Sequence, residues 1–240
     1  MQEQEKNNKG FSLLEIIVVL AIVGALAGVG IPNFTKWNNG RAVSNATEQV
    51  ASLLRNIHAT TERGTFAYVQ VLFESDDNNG ISIQTKGVTM DNFTYKMNDP
   101  NDIWNVSSDT RCSIMEMDPE FWTTGDADRP ELQASIYNIQ RRDVVFNFQG
   151  EASLCFSRNG KFFYADGEIG LDDQPENYLY ILLKKEENLE CEIDYVADPE
   201  ERVLPSSNGD NGCKYVGAVK WTRFGEVDTF KWNETLEEWK

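Results

Sequence analysis

The chain has 240 residues, 40% of them hydrophobic, which is enough for one globular core and a separate apolar segment. Its 39 acidic and 22 basic residues give a formal net charge of −17. Such an acidic chain repels nucleic acid phosphates and carries no basic stripe, so we expect no direct nucleic acid partner. With a single histidine, no catalytic triad, metal-ligand cluster or phosphate loop can be assembled. We therefore expect no catalytic residues, no bound metal and no cofactor.

An uncharged apolar run covers residues 16–31 and predicts a membrane helix in the first part of the chain. With Phe11 to Leu14 included, it approaches the roughly 20 residues that a helix needs to cross a bilayer. Glu15 lies inside this segment, where an ionised carboxylate costs about 2.5–3.5 kcal/mol at a helix centre and less near an end. A cut between Gly10 and Phe11 would supply a partner, because the new α-amine of Phe11 could pair with Glu15 of the same or a neighbouring subunit.

Two simpler interpretations of this segment are an ordinary secretory signal and an uncleaved membrane anchor. A secretory signal could be cut at Ala25-Leu26-Ala27, which resembles an A-x-A site. Glu15 argues against both interpretations. An acid inside the hydrophobic region is unusual in secretory signals, and a plain anchor leaves this carboxylate without a role.

The residues around the proposed cut resemble the class III signal of type IV prepilins and type II secretion pseudopilins. They run Lys9-Gly10-Phe11-Ser12-Leu13-Leu14-Glu15 and lead into an apolar helix with Pro32 near its end. The resemblance implies a leader peptide over residues 1–10, cleavage after Gly10 by a prepilin peptidase, and N-methylation of Phe11. It also implies that Glu15 neutralises the N-terminus of a neighbouring subunit during assembly.

The same resemblance implies a place in the cell and a set of partners. We expect a single-pass protein of the inner membrane with an extracytoplasmic C-terminal domain, which then enters a pilus or a periplasmic pseudopilus. Its partners would be other pilins or pseudopilins, the prepilin peptidase and N-methyltransferase, and the assembly platform of the inner membrane. The function implied is that of a structural subunit, a minor pilin or pseudopilin. The alternative is an adhesin or binding subunit at the pilus tip.

Small residues and helix breakers occupy the end of the apolar run. Gly24 and Gly28 form a G-x-x-x-G spacing, which allows close packing of apolar helices. Gly28, Gly30 and Pro32 also weaken a helix locally, because glycine loses backbone entropy and proline removes a donor. The pilin resemblance implies that this region can stretch inside a filament.

The helical pattern continues beyond Pro32 and predicts one helix over residues 11–63, with a membrane-spanning half and an amphipathic half. Steps of three and four residues place an apolar stripe on its second half. This stripe consists of Val43, Ala46, Val50, Leu53, Leu54 and Ile57. Gly64 is expected to end the helix. His58 lies beside the stripe, and we assign it a surface or packing role.

Alternating, β-rich sequence follows and predicts a head domain over residues 64–240. The predicted strands are 66–73, 81–84, 134–140, 144–149, 154–157, 161–165, 178–184, 190–196, 214–222 and 226–232. Hairpin turns are predicted at Asn159-Gly160 and at Phe224-Gly225. A long helix followed by antiparallel strands indicates an α+β fold in which the helix packs on the sheet. The strand and glycine rhythm is similar to that of H-type minor pseudopilins and related minor pilins.

An acidic insertion over about 86–132 matches no part of that similarity. It is rich in Asp and Asn, contains Trp104 and Trp122, and is predicted to be a surface loop that could set specificity. Clustered carboxylates of this kind can bind calcium, but the spacing of a calcium-binding loop is absent, which favours a solvated loop.

Four widely spaced cysteines without a C-x-x-C pair predict disulfides in an oxidising compartment. They are Cys112, Cys155, Cys191 and Cys213. Three pairings are possible. The one between Cys191 and Cys213 is favoured, because 197–212 is rich in Pro, Asp, Gly and Ser and is typical of a loop.

Overall fold

The computed structural model describes residues 12–76, 79–91, 93–94, 132–133, 138–147, 150–157, 162–167, 178–184, 191, 193, 213–222, 225–233 and 238–240. The chain divides into two compact units, residues 1–41 and 42–240. The helix α1, Leu13–Glu62, contributes its first part to one unit and its second part to the other. Each unit is described by itself below.

The second part of α1 is amphipathic, as predicted, and its apolar stripe lies in the core. Val43 is 2% exposed, and Ala46, Val50 and Ile57 are fully buried. Gly64 ends the helix with a φ of 75°. The backbone amide of Gly64 donates to Thr61 at 2.9 Å and that of Thr65 donates to Thr60 at 3.3 Å. This pair of hydrogen bonds is the Schellman arrangement, in which a glycine accepts the left-handed conformation after the last turn.

The first sheet is antiparallel and contains six strands among the residues that the structure describes. The strands are β1 (Tyr68–Asp76), β2 (Gly80–Val88), β3 (Leu132–Gln133), β4 (Asn138–Arg141), β6 (Gly150–Ser157) and β7 (Phe162–Gly167). Their order is β3-β2-β1-β6-β7, and β4 also pairs with β2. Strands β3 and β4 share one edge of β2, because Val88 pairs with Leu132 and Ile83 pairs with Ile139.

In the described part of the chain, the second sheet has five antiparallel strands in the order β11-β10-β9-β8-β5. These are β5 (Val144–Phe146), β8 (Tyr178–Leu183), β9 (Val216–Trp221), β10 (Val227–Asn233) and β11 (Glu238–Trp239). All six residues of β8 are buried. Its alternate residues belong to two different apolar clusters, so this strand is covered on both faces.

The main core joins α1 to both sheets in one cluster. A second cluster lies on the other face of the second sheet and contains Tyr180, Trp232, Cys213 and Ile193. A disulfide joins Cys191 to Cys213 with the two Cα atoms 4.8 Å apart. This is the pairing that the loop composition favours. Cys213 is buried in the second core, and Cys191 packs against that core.

The α+β architecture is confirmed, and several strand boundaries differ from the prediction. The predicted strand 134–140 corresponds to β4, while β3 is a separate short strand and residues 134–137 lie outside the described residues. Strand β2 continues to Val88, so its last residues fall inside the range predicted as the acidic insertion. Strand β11 was not predicted.

The predicted strand 190–196 is wrong at its two described positions. Neither Cys191 nor Ile193 lies in a strand. Cys191 is fixed by the disulfide, and Ile193 is 6% exposed because it packs in the second core. Apolar side chains in this segment therefore reflect contact with the core and not strand pairing at these positions.

The two predicted hairpins are present as strand pairs. Strand β6 pairs with β7, with Phe156 opposite Phe162, although the turn at Asn159-Gly160 lies outside the described residues. Strand β9 pairs with β10, and Gly225 between them has a φ of 85°. A positive φ favours glycine at this position.

Candidate functional site in the N-terminal helix

From Ile16 to Ile31, α1 is apolar around its whole circumference, and the large hydrophobic side chains that the structure describes there are exposed. Within the described part of the chain, every large hydrophobic side chain classed as exposed lies between Leu13 and Trp37. An 18-residue window of this helix has a mean hydropathy of 2.6, and none of it is buried. Its length and composition suffice to cross a membrane. So much exposed apolar surface requires an apolar partner outside the unit.

Glu15 lies in the first turn of α1, as the sequence predicts. Its backbone amide donates to the carbonyl of Ser12 at 3.0 Å, and the amide of Ile16 donates to the same carbonyl at 3.2 Å. The side chain of Glu15 is exposed and makes no hydrogen bond or ion pair with any residue that the structure describes. An acid surrounded by apolar residues thus has no partner among the described part of its own chain.

Gly24 and Gly28 lie on α1 and are not crowded by any residue that the structure describes. A Cβ atom built at either position meets nothing within 4 Å. The backbone is helical through Gly28, Gly30 and Pro32 in this structure. The small size of Gly24 and Gly28 is therefore available for contacts with another helix.

An aromatic and cationic cluster follows the apolar run and was missed in the sequence. The ring centroids of Phe34 and Trp37 lie 5.7 Å apart. The guanidinium carbon of Arg41 lies 4.7 Å from the centroid of the Trp37 ring. Phe34 is 64% exposed and Trp37 is 54% exposed. Their spacing of three and four residues places all three on one helix face, which is a signal that the sequence already contains.

Gly217 on β9 and Gly225 in the turn before β10 allow close approach to α1, and the sequence did not predict these two contacts. A Cβ at Gly217 would overlap the hydroxyl of Thr47 and would lie 3.3 Å from Val43 Cγ1. A Cβ at Gly225 would overlap the ring of His58. His58 therefore packs against the turn between β9 and β10, in agreement with its predicted packing role. Its Nδ1 lies 3.7 Å from Glu62 Oε2.

Arg141 connects β4 to α1 at one end of an open groove of about 720 Å³ between them. Its Nε donates to Asp143 Oδ1 at 2.8 Å and its Nη2 to Asp143 Oδ2 at 2.6 Å. Its Nη1 donates to Gln49 Oε1 at 3.1 Å, and its Nη2 also donates to the carbonyl of Ala42 at 3.3 Å. The hydrogen bonds from Arg141 lower the pKa of Asp143 and those to Asp143 raise the pKa of Arg141.

Among the described residues of the second unit, Lys86 is the other group whose pKa is shifted. Burial lowers the pKa of Lys86 on β2. Among the residues that the structure describes, no group of three or more His, Cys, Asp or Glu side chains could hold a metal ion. Asp91 is the described acid of the predicted insertion and is exposed. The rest of the insertion's acids and both of its tryptophans lie outside the described residues.

The predicted processing site also lies outside the described residues, since these begin at Ser12. Gly10 and Phe11 therefore keep the roles given by the sequence as predictions. Cys112 also lies outside the described residues, whereas Cys155 lies on β6.

Comparison with known proteins identifies this N-terminal region. Residues 6–31 match the family model described as the prokaryotic N-terminal methylation motif. The chain is 41% identical over 46 residues to the type IV major pilin protein PilA of Myxococcus xanthus, covering 19% of this chain and 21% of that protein. It is 38% identical over 48 residues to a fimbrial protein of Pseudomonas aeruginosa, covering 20% of this chain and 31% of that protein. No solved structure matches the chain significantly.

Residues 6–31 therefore carry the prokaryotic N-terminal methylation motif, and a short stretch of the chain is similar to type IV pilins. The chain covers 21% of the length of the Myxococcus xanthus pilin and 31% of the length of the Pseudomonas aeruginosa fimbrial protein, so it matches only a part of each.

Proposed function

We propose that this protein is a minor pilin or pseudopilin, a structural subunit that enters a type IV pilus or a type II secretion pseudopilus through α1. The observation that carries the proposal is the exposed apolar surface of residues 13–31, within a segment that matches the N-terminal methylation motif. Before assembly, the membrane covers this surface. In the filament, the helices of neighbouring subunits cover it.

The proposed route begins with a precursor in the inner membrane, with the head domain on the extracytoplasmic side. The prepilin peptidase removes residues 1–10 and the N-methyltransferase modifies Phe11. The assembly platform then transfers the mature subunit to the filament. The disulfide between Cys191 and Cys213 supports an oxidising compartment for the head.

Glu15 is proposed to pair with the α-amine of Phe11 on a neighbouring subunit. The exposed carboxylate has no partner among the described residues, and an unpaired acid is costly in an apolar environment. A charge-assisted hydrogen bond across the subunit interface would offset this cost and fix the relative height of two helices. The pairing thus favours the filament over the free subunit.

The test of Glu15 compares Glu15→Val and Glu15→Gln with the unmodified chain. Both variants should remain in the membrane fraction, because neither adds charge to the apolar helix. Both should enter sheared fibres about tenfold less than the unmodified chain, since an ion pair in an apolar setting contributes on the order of 1–2 kcal/mol. Immunoblots of the two fractions measure this ratio. If Glu15→Gln entered fibres as well as the unmodified chain, the charge of Glu15 would not be needed for assembly.

The test of processing replaces Gly10 with a bulky residue, as in Gly10→Leu, and measures intact mass. The unmodified chain should lack the first ten residues and carry one methyl group. The variant should keep its leader and stay out of fibres. Cleavage at Ala27 instead would identify an ordinary secretory signal.

A further inference from the structure

A cluster of aromatic and cationic side chains lies immediately after the apolar part of α1. Phe34, Trp37 and Arg41 form a continuous contact series on one helix face. All three are exposed, as is Lys36. More than half of the surface of Phe34 and of Trp37 is exposed in the described structure.

The cluster is positive in a strongly negative protein. The chain carries a formal net charge of −17, yet between Glu15 and Glu48 its charged residues are Lys36 and Arg41 alone. Neither cation makes an ion pair with any described residue. Two unpaired cations beside an apolar helix match the negative charge of phospholipid phosphates.

The length of the helix places the cluster at a membrane surface. From Leu13 to Ile31 the helix extends about 27 Å at its usual rise, close to the ~30 Å of a hydrocarbon core. Trp37 lies about 9 Å further along the axis, which is the level of the headgroups. Tryptophan is enriched at this level because its ring is apolar and its N–H is a donor.

Arg41 directs its charge back toward the same level. Side chains on a helix point toward its N-terminus, and the contact with the Trp37 ring fixes this direction for Arg41. Its guanidinium therefore lies near Trp37 and not at the level of its own Cα atom. The guanidinium is planar, and because it makes no ion pair with a described residue, its N–H donors are available for a phosphate.

We propose that Phe34, Lys36, Trp37 and Arg41 form a binding site for the headgroups of anionic phospholipids. The inference rests on the proposed membrane-anchored pilin function and adds a ligand class to it. The site sets the depth of α1 in the bilayer before assembly and retains anionic lipids around the subunit. The headgroups must leave when the helix enters a filament, so the site contributes to the cost of extraction from the membrane.

The test uses the full chain in nanodiscs of equimolar POPG and POPC, from which it is released for native mass spectrometry. The unmodified chain should retain POPG in preference to POPC. The variant Lys36→Gln/Arg41→Gln should lower the ratio of retained POPG to POPC by about fivefold for each cation, the effect of one cation at an anionic surface. Arg63→Gln removes an exposed cation just beyond the end of α1 and should leave the ratio unchanged. An unchanged ratio in the double variant would overturn the proposal.

A second measurement locates Trp37 directly. The chain has six tryptophans, so the emission of Trp37 is obtained by subtracting the fluorescence of Trp37→Phe from that of the unmodified chain. This difference should be quenched by POPG carrying bromine near the glycerol end of its chains, and less by bromine near the methyl end. Quenching only by aqueous acrylamide would place Trp37 in water and contradict the site.

The outcomes separate this proposal from the function on which it rests. If the unmodified chain fails to float with vesicles after a carbonate wash, the membrane-anchored function fails. If it floats and the double variant keeps its POPG preference, only the headgroup site fails. If the preference is unchanged and fibre incorporation falls, the cluster is a contact between subunits and the lipid proposal is wrong.

Discussion

Asp143 and Arg141 form a bidentate ion pair that holds the corner after β4 against α1. The pKa of Asp143 is lowered by its hydrogen bonds with Arg141. A lowered pKa means that the pair stabilises the folded state above the ordinary aspartate range. This contribution is lost as the pH falls through the folded pKa.

Replacement of Asp143 by Asn should therefore destabilise the chain by about 0.5–1 kcal/mol near pH 7, a value kept small because the carboxylate is partly exposed. The difference from the unmodified chain should persist to about pH 5 and shrink below pH 4. Urea unfolding in detergent at several pH values measures it. Asp91→Asn, an exposed acid without a partner in the described part of the chain, is the control. A difference that stays constant down to pH 2 would contradict the linkage.

Gly217 is required by the close approach of β9 to α1. A methyl group there would overlap the hydroxyl of Thr47, which donates to the carbonyl of Val43 at 2.9 Å. Gly217→Ala should cost about 1–3 kcal/mol of unfolding free energy, the usual cost of overpacking a core. Combination with Thr47→Ala should recover part of the loss, because the overlapping atom is removed. Strictly additive effects in urea unfolding would show that the two residues do not compete for this space.

At the scale of elements, α1 and the strand-rich head could be predicted from local patterns. The apolar stripe of α1 has a clear helical period, and Gly64 is where the structure ends the helix. Strands such as β8 are recognisable because they combine continuous apolar residues with β-branched and aromatic types.

Pairing and close approach could not be predicted, because they depend on residues distant in sequence. The two ends of the range predicted as the insertion lie on β2 and β3, which pair with each other. Where the insertion begins and ends therefore depends on a tertiary contact. The glycines at 217 and 225 are matched to single side chains of α1, Thr47 and His58. A lone glycine in a strand signals a close approach without naming the partner.

The two glycines in the first part of α1, Gly24 and Gly28, lead to a prediction about how the helices of neighbouring subunits associate. Since no atom lies within 4 Å of a Cβ built at Gly24 or Gly28, the variant Gly24→Leu/Gly28→Leu should not strain the free subunit. It should insert in membranes normally but enter fibres about tenfold less, because bulky residues separate neighbouring helices. Val23→Leu enlarges a side chain that is already large and is the matched control. Immunoblots of membrane and fibre fractions measure both, and equal incorporation would contradict a packing role for these glycines.

The features on which the proposed assembly rests and the acidic insertion lie in different parts of the chain. The exposed apolar surface, Glu15 and the Phe34 cluster all belong to α1, whereas the acidic insertion belongs to the head. Val88 and Leu132 are opposite each other on β2 and β3. A short turn can therefore replace residues 89–131 without separating the two strands, which a deletion of the full predicted range 86–132 would do.

The shortened chain tests whether the protein is a structural subunit or a tip adhesin. Residues 89–131 are replaced by a four-residue Asn/Gly loop. The replacement removes Cys112, and because Cys191 and Cys213 are joined to each other, Cys155 would be left as an unpaired thiol and is changed to Ser. The matched control is Cys112→Ser/Cys155→Ser in the full-length chain. We expect both to enter fibres within about twofold of the unmodified chain, since α1 and its apolar surface are retained. Fibre counts and incorporation measure this, and thermal unfolding checks the fold. Loss of fibres with the shortened chain alone would show that the head also primes assembly. Normal fibres with loss of attachment to surfaces would favour the adhesin, because the insertion would then be the contact surface.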